Sequence, residues 1–154
     1  TEIDSRMIKK SLLCLLALTV LSCEKVEQSS IPYAHVYFKV DLRFQDKELK
    51  SVLAHKIFTT PRYYGEMMGF SGILVTHGLN DVYYAYEQCC PHEAQRDIKV
   101  KVDSTGMYAI CPQCHTKYEI ASGGYPVEGP SKYYLRTCNV YQQGEELTIE
   151  GYSN

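Results

Sequence analysis

Tryptophan is absent, and no cluster of Lys and Arg stands out in a chain whose formal net charge is -2. Phosphate backbones are held by grouped cations, so nucleic acid is excluded as a partner. Long apolar runs are missing too. The longest, residues 12–21, has about ten residues, against the roughly 20 that a helix needs to cross a bilayer. No stretch carries a 3.6-residue apolar period over three turns, although residues 49–58 could form a short helical turn. No internal repeat and no domain boundary is visible. The two-His, one-carboxylate pattern of non-haem iron oxygenases has no match. With no other catalytic constellation in sight, the chain does not read as an enzyme.

What is present points to strands. The 154 residues suffice for one domain, and 45% hydrophobic with 22% charged residues is a globular balance. There are 14 Tyr, whose flat rings suit pleated surfaces. Strands are expected over 35–42, 72–77, 82–86, 98–102, 107–110 and 146–150. Residues 78–81 and 103–106 supply hairpin turns, 45–48 a polar turn and 61–69 a loop. Many short strands between turns indicate an all-β sandwich or barrel.

The N-terminal part is set apart from this domain. Met7-Ile8-Lys9-Lys10-Ser11 is positive, 12–21 is apolar, and Ser22-Cys23 closes the run, the order of an export signal. Val20-Leu21-Ser22-Cys23 resembles the lipobox of bacterial lipoproteins. That resemblance implies a signal segment 1–23 cleaved before Cys23, which becomes the lipidated first residue; Cys14 is lost with the signal. Glu2 and Asp4 are unusual ahead of such a signal, so Met7 is the expected true start. Residues 24–30 read as a polar tether and 31–154 as the folded domain. Two acyl chains anchor stably. The expected location is the bacterial cell envelope, with the membrane as partner through the lipid. The competing reading is an ordinary signal or anchor helix with an incidental Cys.

Seven Cys need explaining. Cys89-Cys90-Pro91-His92 and Cys111-Pro112-Gln113-Cys114-His115 each follow an expected strand. Proline restricts both loops. Four N and S ligands on two short loops select zinc or an iron–sulfur centre over Mg or Ca.

The spacing resembles the Rieske family, whose pattern is C-x-H, a spacer, C-P-x-H-G-x-x-F-x-x-x-x-G and a later G-P-x. Cys90-Pro91-His92 fits the first box; Cys111-Pro112, Tyr118 and Gly123 fit the second; Gly129-Pro130-Ser131 fits the last. One position departs: Cys114 stands where the family has its second ligand His, and His115 where it has Gly. The resemblance implies a Rieske-like antiparallel sandwich with a small two-loop metal-binding lobe. It also implies a [2Fe-2S] cluster held by Cys90, His92, Cys111 and Cys114. Cys90 and Cys111 would bind one iron, and His92 and Cys114 the other. A shifted register makes His115 the ligand and leaves Cys114 free.

On that basis the chain is expected to be a one-electron carrier with a redox partner protein. The alternative is a structural Cys3His zinc site in an envelope binding or assembly module, since C-P-x-C loops commonly hold zinc. Lys9-Lys10 in place of a twin-Arg pair favours the alternative: export is then unfolded, and an unfolded chain carries no cluster. A third reading is disulfides, formed in an oxidising compartment. In that case Cys89 could pair with Cys138, although Cys138 reads more naturally as a small core residue. His35, His55 and His77 are expected at the surface or in the core, and Met67-Met68 as core filler.

Overall fold

The computed structural model describes residues 29–153. The signal segment, Cys14, Cys23 and residues 24–28 of the tether lie outside them.

The fold is all-β and antiparallel. Among the described residues eleven strands run in chain order: β1 Val36–Asp41, β2 His55–Phe58, β3 Met67–Met68, β4 Ile73–His77, β5 Tyr83–Glu87, β6 Lys101–Val102, β7 Tyr108–Ile110, β8 Lys117–Glu119, β9 Tyr125–Glu128, β10 Thr137–Gln143 and β11 Glu146–Tyr152. Seven form a base sheet in the order β2-β4-β5-β10-β11-β1-β3, and four form a lobe in the order β6-β7-β8-β9. The base sheet curls on itself, bringing Phe38 of β1 and Phe58 of β2 to a ring separation of 4.8 Å.

Period-2 alternation explains how the layers share the central strands. Ile73 and Val75 of β4 face the base core with Val36, Phe38, Val40, Leu147 and Ile149. Leu74 faces the other way, with Tyr86 of β5, into a second core built with Val100, Ala109, Tyr118, Ile120 and Leu135 of the lobe. β4 is therefore buried on both faces, and its unbroken apolar start, Ile73-Leu74-Val75, follows from that. The Tyr86 hydroxyl donates to the Ile120 carbonyl at 2.9 Å, tying base to lobe.

Two expectations are corrected here. Residues 49–58 do not make a helical turn of their own; a 3-10 turn covers Lys47–Lys50, and β2 follows. Register with β4 overrides local preference: His55 pairs with Thr76 and Phe58 with Ile73. The stretch 61–69 holds, besides its loop, the short edge strand β3, with Met68 buried and Met67 exposed.

Asp46 fastens the base sheet. Its side chain is fully buried and accepts from Arg62 at 2.9 and 3.1 Å and from the Asp41 amide at 2.9 Å, with the Lys56 ammonium 2.8 Å away. Burial alone would raise its pKa, but the bonds from Lys56, Arg62 and the Asp41 amide outweigh it and hold the carboxyl below 3.8. A depressed folded pKa gives stability that is present above the unfolded value and lost as pH falls through the folded one. Asp46→Asn should therefore cost about 3 kcal/mol at neutral pH and flatten the acid limb of an unfolding curve below about pH 4. An unchanged acid limb in denaturant titrations would show that another carboxylate governs it.

Candidate metal centre

One ligand loop leads from β5 of the base sheet toward the lobe, and the other joins β7 to β8 within it. β5 ends at Glu87, and the chain passes Cys89 into a tight turn in which the Ala94 amide donates to the Cys90 carbonyl and the Cys90 amide to the Ile98 carbonyl, both at 2.9 Å. After β7 a second turn forms, with the Cys111 amide on the Thr116 carbonyl at 3.0 Å and the His115 amide on the Cys111 carbonyl at 3.1 Å.

These turns bring the sulfurs of Cys90, Cys111 and Cys114 within 4.8 Å of one another. Cys90 and Cys111 are fully buried. Cys90 Sγ lies 3.7 Å from Cys114 Sγ and 3.6 Å from the Tyr118 hydroxyl. Burial pushes the Cys90 thiol up to about 12, opposed by hydrogen bonds from the Glu93 and His92 amides and the Tyr118 hydroxyl. For Cys114 burial is outweighed by the hydroxyl and amide of Thr116 and by its two cysteine neighbours, leaving that thiol below its ordinary value.

Three of the four expected ligands thus converge. His92 is exposed and stands outside the three-sulfur group, as does the exposed His115. His115 has φ +60, a left-handed conformation that glycine adopts without strain. Glycine stands at this place in the Rieske pattern that the sequence resembles. His115→Gly should keep its metal and its stability; loss of metal in this variant would return His115 to the ligand set.

Around the loops, the G-P-S segment has a steric reason. A Cβ on Gly129, at φ +99, would meet the Thr116 backbone at 2.5 Å. The close approach lets the Ser131 amide donate to Thr116 Oγ1 at 3.1 Å, the same hydroxyl that meets Cys114 Sγ at 3.2 Å.

Cys89 and Cys138 belong elsewhere. Cys89 is buried with its thiol toward the Gln95 carbonyl at 3.3 Å, and Cys138 is buried in the base core. All five described cysteines are free, so neither a Cys89–Cys138 bridge nor a disulfide clamp is present among the described residues.

Sequence reasoning missed Glu87. This fully buried carboxylate accepts from the amides of Phe70 and Ser71, both at 2.8 Å, from the Cys89 amide at 3.4 Å, and from the Tyr152 hydroxyl at 2.7 Å. It joins the first ligand loop to the last strand. The one available signal was a charged residue directly ahead of a cysteine loop.

The 3.7 Å between Cys90 Sγ and Cys114 Sγ is an ordinary contact of two thiols, and the three sulfurs together could hold a metal ion.

No family model matches the chain, and no curated protein matches it. Among solved structures, one similar chain comes from the complex of reduced oxygenase and oxidized ferredoxin in carbazole 1,9a-dioxygenase. It is 16% identical with TM-score 0.49, over 77% of this chain and 96% of that one. Another is the ferredoxin of carbazole 1,9a-dioxygenase from Nocardioides aromaticivorans, 17% identical with TM-score 0.47, over 72% of this chain and 95% of that one. At those values the likeness decides neither activity nor cofactor, which must be read from the chain's own side chains.

Proposed function

We propose that this chain is an envelope-anchored metal–thiolate protein in which Cys90, Cys111 and Cys114 hold a single zinc ion, with the exposed His92 turning in as the fourth ligand. The observation that carries this reading is the convergence of three cysteine sulfurs within 4.8 Å of one another, with a cysteine at the place of the pattern's second histidine. Zinc has no redox chemistry, so its work here is structural: it closes two loops that bury little apolar surface of their own. The domain then serves as a binding or assembly module of the envelope, held by the lipid on Cys23.

The second reading is a Rieske-type one-electron carrier with a [2Fe-2S] cluster and a redox partner protein. It is favoured by the Gly-like backbone at His115 and the Gly129 approach to Thr116, both of which the Rieske pattern asks for. Elemental analysis with visible and EPR spectra on anaerobically purified protein separates the two. One zinc per chain in a colourless sample is expected; iron and inorganic sulfide in equal amounts would overturn the zinc assignment and establish the carrier.

A further inference from the structure

β3 pairs only with Val36 and Tyr37, so the free edge of β1 has no strand beside it from Phe38 to Asp41. The 61–66 loop turns back over that edge, and the Arg62 guanidinium donates to the Lys39 carbonyl at 2.6 Å. The Glu66 carboxylate closes the loop, accepting from the amides of Arg62 and Tyr63 at 2.6 and 3.1 Å. Loop and strand enclose a cleft of about 350 Å³. Small-molecule sites occupy about 300–1,000 Å³. The cleft belongs to the base sheet and its loops, and shares no residue with the cysteine loops.

Tyrosine rings wall it. Period-2 alternation puts Tyr37 on the outer face of β1 with Lys39 and Asp41. Tyr63 and Tyr64 come from the loop, and the Gln45 side-chain amide holds the Tyr63 hydroxyl at 2.8 Å. Tyr64 is fully exposed beside Gly65, whose φ is +88. Rings fixed by a closed loop lose little freedom on contact with a ligand.

The donors of the cleft are already spent. The Lys39 ammonium is on Glu146 at 2.7 Å, and the Gln45 amide is on Tyr63. Behind the cleft Arg62 and Lys56 face Asp46 and Glu48, and below it Arg43 and Lys50 face Glu145. Asp41 Oδ1 accepts from the amides of Arg43 and Phe44 at 2.8 and 3.3 Å. Among the described residues neither Asp41 nor Glu66 has a Lys or Arg as ion-pair partner. The lining thus sets the carboxylates of Asp41, Glu66 and Glu146 against the single ammonium of Lys39. An anion is repelled here. A sugar uses the rings and the acceptors but leaves the charge unmatched. A cation satisfies both, because ring faces attract positive charge.

We propose that this cleft binds a small primary alkylammonium ion. Its methylenes lie on the rings of Tyr37, Tyr63 and Tyr64, and its ammonium donates to the carboxylates of Asp41 and Glu66. The site stands whichever metal the cysteines hold.

Titrating butylammonium chloride into the full chain at neutral pH, followed by amide NMR, tests this, with 1-butanol as the uncharged probe of the same length. Saturable shifts at residues 37–41 and 62–66 are expected with butylammonium and not with butanol. Raising the salt should weaken them, since exposed charges are screened. The Asp41→Asn, Glu66→Gln double variant keeps acceptors for the loop amides and should weaken binding about tenfold. Tyr64→Ala should weaken it about threefold. Metal content and melting temperature should stay unchanged in both variants. If the double variant fails to fold, the comparison of the two probes on the unmodified chain still decides. Equal response to butanol, or no saturable shift, would overturn the proposal. So would a Gly-Lys-Gly peptide that binds where butylammonium does not, because the cleft would then dock a protein side chain.

Discussion

Cys111→Ala should lose its metal to background and leave the lobe loose on an intact base. Cys111 is fully buried, shares the sulfur cluster with Cys90 and Cys114, and directly follows β7 in the lobe core. Structural zinc contributes about 10–16 kcal/mol of apparent binding energy in small metallo-domains, far more than any single apolar contact. Hydrogen exchange should therefore rise across 89–118 while β1 and β4 stay protected. Cys114→Ala should behave alike. Cys89→Ala and Cys138→Ala should keep full metal and cost only about 1 kcal/mol for the space left in each packed site. Metal content by mass spectrometry decides the matter. A Cys114→Ala protein that keeps its metal beside a His115→Ala protein that loses it would reverse the register.

Glu87→Ala should cost about 4 kcal/mol, although Glu87 touches none of the three clustered sulfurs. Its removal leaves the amides of Phe70 and Ser71 and the Tyr152 hydroxyl without a partner in a dry interior, and each such group costs about 1–3 kcal/mol. For a domain of this size that loss lowers Tm by about 15 °C. Gln should rescue only in part, since one end of its amide would aim N–H groups at other donors. Thermal unfolding followed by circular dichroism gives the answer. A shift of under about 3 °C would mean that water replaces the carboxylate and that the first ligand loop does not depend on it.

The strand pattern was legible wherever alternation and turn residues agreed. β1, β4, β5, β7 and β11 fall where the sequence placed them, and residues 78–81 and 103–106 do join antiparallel neighbours. β2 was hidden because His55-Lys56-Ile57-Phe58 buries one residue fully and takes its conformation from β4. β3 was hidden because two residues carry no period at all. At the site, the two cysteine loops and their resemblance to the Rieske pattern picked out the three sulfurs that converge, since ligand loops are short and local. The Glu87 and Asp46 carboxylates could not be found that way. Their partners are 65 and 16 residues distant at the extremes, Tyr152 and Arg62, and only the folded chain brings those donors together.

The pairing of β1 with β11 carries a consequence for how the domain comes into being. Tyr37 lies opposite Glu150, so the base sheet closes only when the last strand arrives. The β4–β5 and β10–β11 hairpins can form early, because their ends are near in sequence. Closing the long loop between β1 and β11 carries the larger entropy cost and comes late. A chain that emerges N-terminus first would hold β1 with only the two-residue β3 beside it, and without β11, until synthesis or translocation is complete. During that interval Val36, Phe38 and Val40 are exposed on a strand edge, and self-association competes with closure. The nascent domain is thus most vulnerable at its beginning, and its final strand ends that vulnerability.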